Sequence, residues 1–331
     1  MDAVEENPVQ GHGRSRVPRA LSSVHRRCFL PGALIVLLTA TSGAQQEELP
    51  VFSANSELVV LQVVVTDKRG AYVDGLTQDR FAVIEDGKPQ DVQFFATADT
   101  PVTVGLLVDS SGSMYANRRL VIAGAVAFAD ASHPRDEIFA LAFNETVRPA
   151  LSPAAPFTSD SAVLRGALER AISARGRTAL YDAITEGVDY LGRGSRQRKV
   201  LVVLSDGADN ASRATRDAAV RKAQASNAAI YTIALVDPAA PDANPRLLRE
   251  LAQESGGESF QPDDSAGIAR AFDRIAKDIR RTYTLGYIPS NAAHDGAFRR
   301  VRVVVTAPPG KSLVVRSRAG YLAGAGRKAA P

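Results

Sequence analysis

The sequence predicts an α/β fold: a doubly wound, mostly parallel sheet inserted in a small β-sandwich built from strands on either side of it. Three observations predict this. Residues 100–281 alternate nearly continuous apolar runs with helical periodicities over ~180 residues, the pattern of strands buried beneath helices on both faces. Residues 57–98 and 282–322 read as β throughout. Neither flank is long enough to be comfortable alone, so the two are expected to pair.

Leu58–Val65 opens the N-terminal β segment, rich in β-branched residues, and stops at Asp67-Lys68-Arg69-Gly70. Phe81–Glu85 follows, then Asp86-Gly87, then Val92–Phe95. Asp-Gly between apolar runs signals a hairpin, and Pro89 predicts that the second strand starts a few residues later. Val102–Val108, Ile138–Phe143, Val200–Leu204 and Ala228–Leu235 are the apolar runs of the central segment. Between them lie helical stripes at Leu120, Gly124, Ala127, Phe128 and Ala131, at Leu180, Ile184, Val188 and Leu191, and at Ile268, Phe272, Ile275 and Ile279. The C-terminal β segment holds Tyr283–Ile288, ended by Pro289, and two runs, Val301–Val305 and Leu313–Arg316, flanking Pro308-Pro309-Gly310. Residues 323–331 lack apolar periodicity and are expected to form a disordered tail. No internal repeat is visible.

The ends of the chain bear on location. Arg26-Arg27, the apolar stretch Phe29–Leu38 and the small residues Thr39–Ala44 form the three parts of an export signal. Residues 1–44 are therefore expected to be a signal peptide or leader, and 45–56 a polar linker. The apolar stretch is short of the ~20 residues a membrane span needs. The twin arginines fit a Tat signal as well as a Sec one, although His25 stands where Ser or Thr is expected. The protein is thus expected in the periplasm or outside the cell. Cys28 is the only cysteine and falls in the leader, so disulfides, thiol catalysis and zinc-thiolate sites are excluded from the mature chain. The net charge of +4 is small for 331 residues. No run of five Lys or Arg occurs, and no basic-aromatic interleaving points to nucleic acid.

The chemistry-bearing residues come from three places. Asp109-Ser110-Ser111-Gly112-Ser113 follows the run Val102–Val108, Thr178 precedes the stripe beginning at Leu180, and Asp206 follows Val202-Val203-Leu204-Ser205. Ligands of open α/β sheets bind beyond the carboxyl ends of the strands, so Asp109 and Asp206 are expected at one edge. Ser111 and Ser113 can turn toward a common point. The set Asp109, Ser111, Ser113, Thr178 and Asp206 offers two carboxylates and three hydroxyls, the oxygen donors a hard divalent cation takes: Mg²⁺ first, with Mn²⁺ or Ca²⁺ possible. Neutral hydroxyls are weak donors. The ion would stay electron-poor and attract an Asp or Glu carboxylate from a protein partner. Alone, Asp-x-Ser-x-Ser is also ordinary turn and cap chemistry; the later Thr and Asp in matching contexts raise it above that. Asp209 and Asn210 are read as turn or cap residues. Asp182 is read as a first-turn acid favoured by the helix dipole. Tyr115 is read either as a partner contact or as helix-start packing. The motifs of a serine hydrolase, a dinucleotide site and a phosphate loop are not found.

Those five residues match, in order, the metal-ion-dependent adhesion site of the von Willebrand factor type A (VWA) domain, Asp-x-Ser-x-Ser, then Thr, then Asp. Residues 100–281 resemble that domain. The resemblance implies a Rossmann-like sheet, hydroxyls nearest the ion and acids acting in part through water. The flanks, with Val64-Val65-Thr66-Asp67, Leu76-Thr77-Gln78-Asp79-Arg80-Phe81, Glu85-Asp86-Gly87-Lys88-Pro89-Gln90 and Leu285-Gly286-Tyr287, resemble the exported VWFA-related acidobacterial group. Related sequences often have Gly-Gly-Thr where this chain has Gly176-Arg177-Thr178; Arg177 either crowds the ion or helps to hold an acidic partner. The function expected is a non-enzymatic, exported binding module that grips an acidic residue of a protein through the cation. A metal-dependent hydrolase and an envelope scaffold with a vestigial site are the alternatives.

Overall fold

A computed structural model describes residues 58–97, 100–236, 242–307, 310 and 312–324. The expected leader and linker lie outside these residues. The N-terminal segment supplies strands β1 (Val59–Asp67), β2 (Phe81–Glu85), β3 (Lys88–Gln90) and β4 (Val92–Ala96). The central segment supplies β5 (Val102–Asp109), α1 (Arg118–Asp130), β6 (Glu137–Phe143), β7 (Val147–Pro149), α2 (Ser161–Ala171), α3 (Leu180–Leu191) and β8 (Arg198–Ser205). It continues with α4 (Arg216–Ala225), β9 (Ala228–Ala234), α5 (Pro245–Ser255), β10 (Ser259–Phe260) and α6 (Ser265–Arg280). The C-terminal segment supplies β11 (Tyr283–Tyr287), β12 (Phe298–Val305), β13 (Leu313–Arg316) and β14 (Gly320–Leu322).

The flanking strands form two four-stranded antiparallel sheets, ordered β13-β1-β11-β4 and β14-β12-β2-β3. Each sheet mixes strands from both flanks, so the two segments do pair. Alternate residues from both sheets, among them Leu61, Val63, Val83, Leu285 and Val303, enclose one core, the period-2 pattern of a sandwich. Phe81, Phe95 and Tyr283 fill it with ring centroids 5.0 to 6.0 Å apart.

Several local expectations are corrected here. Asp86 and Gly87 have φ of +46° and +82°, both left-handed, as a two-residue type I′ hairpin requires. The returning strand begins at once, at Lys88, and Pro89 sits opposite Ile84. Proline is tolerated because β3 is a sheet edge. Val92–Ala96 is not the hairpin partner; it crosses to the other sheet and pairs with β11. Likewise β12 and β13 lie in different sheets. The first residues of β12 escaped the apolar pattern because its inward position is Arg299, buried and 3.6 Å from the Glu85 carboxylate. At the C-terminus, Ala323 is buried and exchanges hydrogen bonds with Gly296 and Ala297; residues 325–331 of the expected tail lie outside the described residues.

The central sheet has the order β10-β9-β8-β5-β6-β7, parallel except for the edge strand β7. Val104, Leu106 and Val108 of β5 pack with α1, α2 and α6, while Leu107 packs with α3, α4 and α5. The sheet is thus wound on both faces. The stripe on α1 is rotated from the one expected: Val121, Ile122, Ala125, Phe128 and Ala129 are buried, whereas Ala127 and Ala131 are exposed. The helix lies against α2 and α6 as well as the sheet, which widens and turns its buried arc. The stripes on α3 and α6 hold, with Val188 only half-buried. Helices α2, α4 and α5 were not foreseen. Each starts at a capping side chain, Asp160, Thr215 and Asn244 respectively, which satisfies free N–H groups of the first turn.

Phe272 is 1% exposed between α1 and the sheet, whereas Val304 is 39% exposed on the outer face of the sandwich. Phe272→Ala is expected to lower unfolding stability by about 3–5 kcal/mol, and Val304→Ala by about 0.5 kcal/mol or less, as measured by urea denaturation.

Candidate metal centre

Strands β5 and β8 are adjacent and parallel, with Val108 opposite Leu204. That register puts Asp109, the last residue of β5, and Asp206, the first after β8, at the same rim. Ser111 and Ser113 follow in a short turn that includes the 3-10 segment Gly112–Met114. Thr178 lies two residues before the start of α3.

Three loops are laced together at this rim. Gly112 N–H donates to Gly176 O (3.1 Å) and Arg175 N–H to Ser110 O (2.9 Å), which joins the serine turn to the threonine loop. Thr178 N–H donates to Asn210 Oδ1 at 2.9 Å, and Thr178 O accepts from Asn210 and Ala211 N–H at 2.9 and 3.0 Å. This joins the threonine loop to the Asp206 loop. Gly176 has a φ of +85°, a left-handed conformation that favours glycine. The five residues expected from the sequence are therefore carried on loops that bond to one another.

Asp109, Ser111, Thr178 and Asp206 are 1, 2, 3 and 2% exposed, while Ser113 opens to solvent. Asp109 accepts from Ser111 N–H (2.9 Å) and from Ser205 Oγ (2.7 Å). Asp206 accepts from Ala208 N–H (2.9 Å). The hydroxyls of Ser111 and Ser113 stand 3.1 Å apart. Among the described residues neither carboxylate has an ion-pair partner. Burial pushes the Asp109 carboxyl up to about 6, the hydrogen bonds from Ser111 and Ser205 oppose this, and the Asp206 charge adds to it. Two buried carboxylates side by side with no basic group are costly as they stand.

That unsatisfied negative charge, ringed by hydroxyls, fits a hard cation by the chemistry of its donors. Among the described residues no group of three or more His, Cys, Asp or Glu could hold a metal; here the carboxylate pair is completed by Ser and Thr oxygens instead.

The neighbours sort by what they touch. Asn210 fixes Thr178, and Asp209 accepts from Tyr181 N–H (3.2 Å) in the first turn of α3 and from Ser212 Oγ (2.5 Å). Both are turn and cap residues, as expected. Asp182, besides sitting in the first turn of α3, accepts from Arg213 and Ala214 N–H at 3.0 and 2.8 Å, so it also fastens a loop. Tyr115 is 77% exposed, which rules out helix-start packing. The Arg177 side chain is exposed, and its N–H donates to Glu145 (3.1 Å). Two residues went unnoticed in the sequence. Ser205 orients Asp109. Ser110 Oγ accepts from Ser173 and Ala174 N–H at 2.6 and 3.3 Å, holding Ala174 at a φ of +52°. Each adjoins a recognised acid, and that adjacency was the available signal.

The von Willebrand factor type A domain profile matches residues 103–274, just over half of the chain. Similar solved structures include a von Willebrand factor type A protein from Catenulispora acidiphila, 17% identical over 82% of this chain and 75% of that one, with a TM-score of 0.47. The vWF domain of the type V pili tip protein Mfa5 from Porphyromonas gingivalis is 16% identical over 56% of this chain and 96% of that one, with a TM-score of 0.46. The PilB minor pilin from Streptococcus sanguinis is 13% identical over 56% and 63%, with a TM-score of 0.44. No curated protein sequence matches the chain. By its profile, its doubly wound sheet and the order of its rim residues, this chain belongs to the von Willebrand factor type A domain family, whose domains mediate protein–protein interaction.

Proposed function

We propose that this protein is an exported, non-enzymatic binding module that takes an Asp or Glu carboxylate of a protein partner through a divalent cation. Asp109, Ser111, Ser113, Thr178 and Asp206 would hold the ion, with Mg²⁺ the first candidate and Mn²⁺ or Ca²⁺ the others. The observation that carries this reading is the pair of buried, uncompensated carboxylates at the ends of β5 and β8. When bound, the cation supplies an electrophilic position for an incoming carboxylate. The chain's own residues do the rest. Ser111 N–H and Ser205 Oγ fix Asp109, Asn210 fixes the threonine loop, and the exposure of Ser113 leaves the rim open to a partner. Export by a Sec or Tat signal to the periplasm or beyond, and membership of the acidobacterial group, belong to the same proposal. None of the described helices is long and apolar enough to cross a membrane.

Mn²⁺ titration followed by electron paramagnetic resonance tests the site. Wild type is expected to take up one ion, displaced by Mg²⁺, and Ser111→Ala to bind at least about ten-fold more weakly, the loss of about 1.4 kcal/mol of coordination. Ion present at about 100 times its Kd should stabilise the fold by about 2.7 kcal/mol and raise the Tm by about 5 °C. An unchanged Tm together with no Mn²⁺ uptake would sink the reading. Recovery of a partner in Mg²⁺ but not in EDTA is the matching interaction assay.

The Asp109 carboxyl titrates higher in the folded chain than in the unfolded one. Its contribution to stability is therefore fully present below pH ~4 and is lost as the pH rises through about 6. In EDTA at pH 8, Asp109→Asn should unfold later than wild type, by on the order of 1–3 kcal/mol, and the gap should close as the pH falls to 4. In Mg²⁺ at pH 8 the order should reverse or the gap shrink, because only wild type gains from the ion. Chemical denaturation across pH with and without Mg²⁺ measures both.

A further inference from the structure

We propose that the surface around the metal centre recognises a run of acidic residues in its partner, not an isolated carboxylate; this rests on the cation-dependent reading above. Arg175, Arg177 and Arg213 are all exposed. Each sits on a loop bonded directly to the centre: Arg175 through Ser110, Arg177 beside Thr178, and Arg213 two residues beyond the Ala211 N–H that donates to Thr178. Among the described residues none of the three side chains has an ion-pair or hydrogen-bond partner.

The acids of these loops behave in the opposite way. Glu145 is engaged by Arg177 N–H. Asp182 is engaged by the N–H groups of Arg213 and Ala214, and Asp209 by Tyr181 N–H and Ser212 Oγ. Asp182 and Asp209 are half-buried and bonded within the loops, Glu145 is exposed but held by the backbone beside it, and the three arginine side chains are exposed without such ties. With a divalent ion balancing Asp109 and Asp206, three exposed guanidinium groups without partners among the described residues are left to meet further carboxylates of an acidic segment. Tyr115, 77% exposed on the serine turn, adds an aromatic contact of the type that anchors interfaces beside arginine.

Two labelled synthetic peptides of equal length test this by fluorescence anisotropy. One carries a run of Asp and Glu, the other a single Asp among Gly and Ser. In Mg²⁺, wild type is expected to bind the acidic run on the order of ten-fold more tightly, and the triple variant Arg175→Gln, Arg177→Gln, Arg213→Gln to bind the two within about two-fold. The variant should melt with wild type, since exposed side chains without partners contribute little to stability. Equal affinity of wild type for the two peptides, failure of both to bind while Mn²⁺ is seated, or a preference that survives in the triple variant or in EDTA would overturn the proposal. Mn²⁺ resonance on Mg²⁺-free portions of the same proteins separates these results from a failure of the metal reading itself, which would appear as no ion uptake and would remove both.

Discussion

Two carboxylates stand side by side, out of water, at the ends of neighbouring parallel strands, and among the described residues neither has an ion-pair partner. An arrangement of this kind opposes folding unless something compensates the charge. The surrounding residues supply part of the answer. Ser111 N–H and Ser205 Oγ donate to Asp109, and Ala208 N–H donates to Asp206. Those donors orient the carboxylates and lessen the burial cost of Asp109, yet its carboxyl still lies above the usual range. Under the proposed reading, the missing positive charge is that of the bound cation.

The fold makes that arrangement possible by burying the sheet on both faces. Strand β5 is buried along its whole length, so its position is set by two apolar clusters that meet on it from opposite sides. Loops at the carboxyl rim are then free to carry polar chemistry, since the sheet and not the loops provides the stability. Their own precision comes from hydrogen bonds between loops. Thr178 is gripped on both its N–H and its C=O by the Asp206 loop, and the serine turn is tied to Gly176. Asp182, in the first turn of α3, holds the loop at Arg213 and Ala214, and Asp209, in the loop after β8, satisfies a first-turn N–H of α3. A helix dipole explains why acids are found there; the hydrogen bonds explain what they do.

The four inner strands β5, β6, β8 and β9 and the positions of the five rim residues were legible in the sequence because each lies in a strong local pattern, whereas the short edge strands β7 and β10 were not. A buried parallel strand is a continuous apolar run, and its carboxyl end is marked where that run meets a polar turn. Helices α2, α4 and α5 were not legible. Their buried faces are short, and they are announced mainly by single capping residues at Asp160, Thr215 and Asn244. The sandwich was legible as a pairing of flanks but not as a topology. Asp86-Gly87 shows where a hairpin turns, but nothing local says that Val92–Ala96 leaves for the other sheet. An inward arginine at position 299 hid the start of β12, because its partner Glu85 is more than two hundred residues away in the chain. Long-range ion pairs of that kind leave no periodic trace.

Long-range bonds of the same kind fix where the α/β domain joins the sandwich. Asp136, just before β6, accepts from Val102 N–H (2.9 Å) at the start of β5 and from Arg280 (2.7 Å) at the end of α6. Arg198, the first residue of β8, donates to Ile279 O (2.7 Å). The chain therefore enters and leaves the α/β domain at the amino edge of its parallel strands, where one buried carboxylate holds both crossings. Asp278, also buried, ties α6 to the sandwich through Tyr72 (2.6 Å) and Arg316. The sandwich is thus fastened close to that amino edge, and Asp109 and Asp206 lie at the carboxyl edge. Among the described residues the loops at that rim belong to the α/β domain, and they expose Tyr115, Arg175, Arg177 and Arg213.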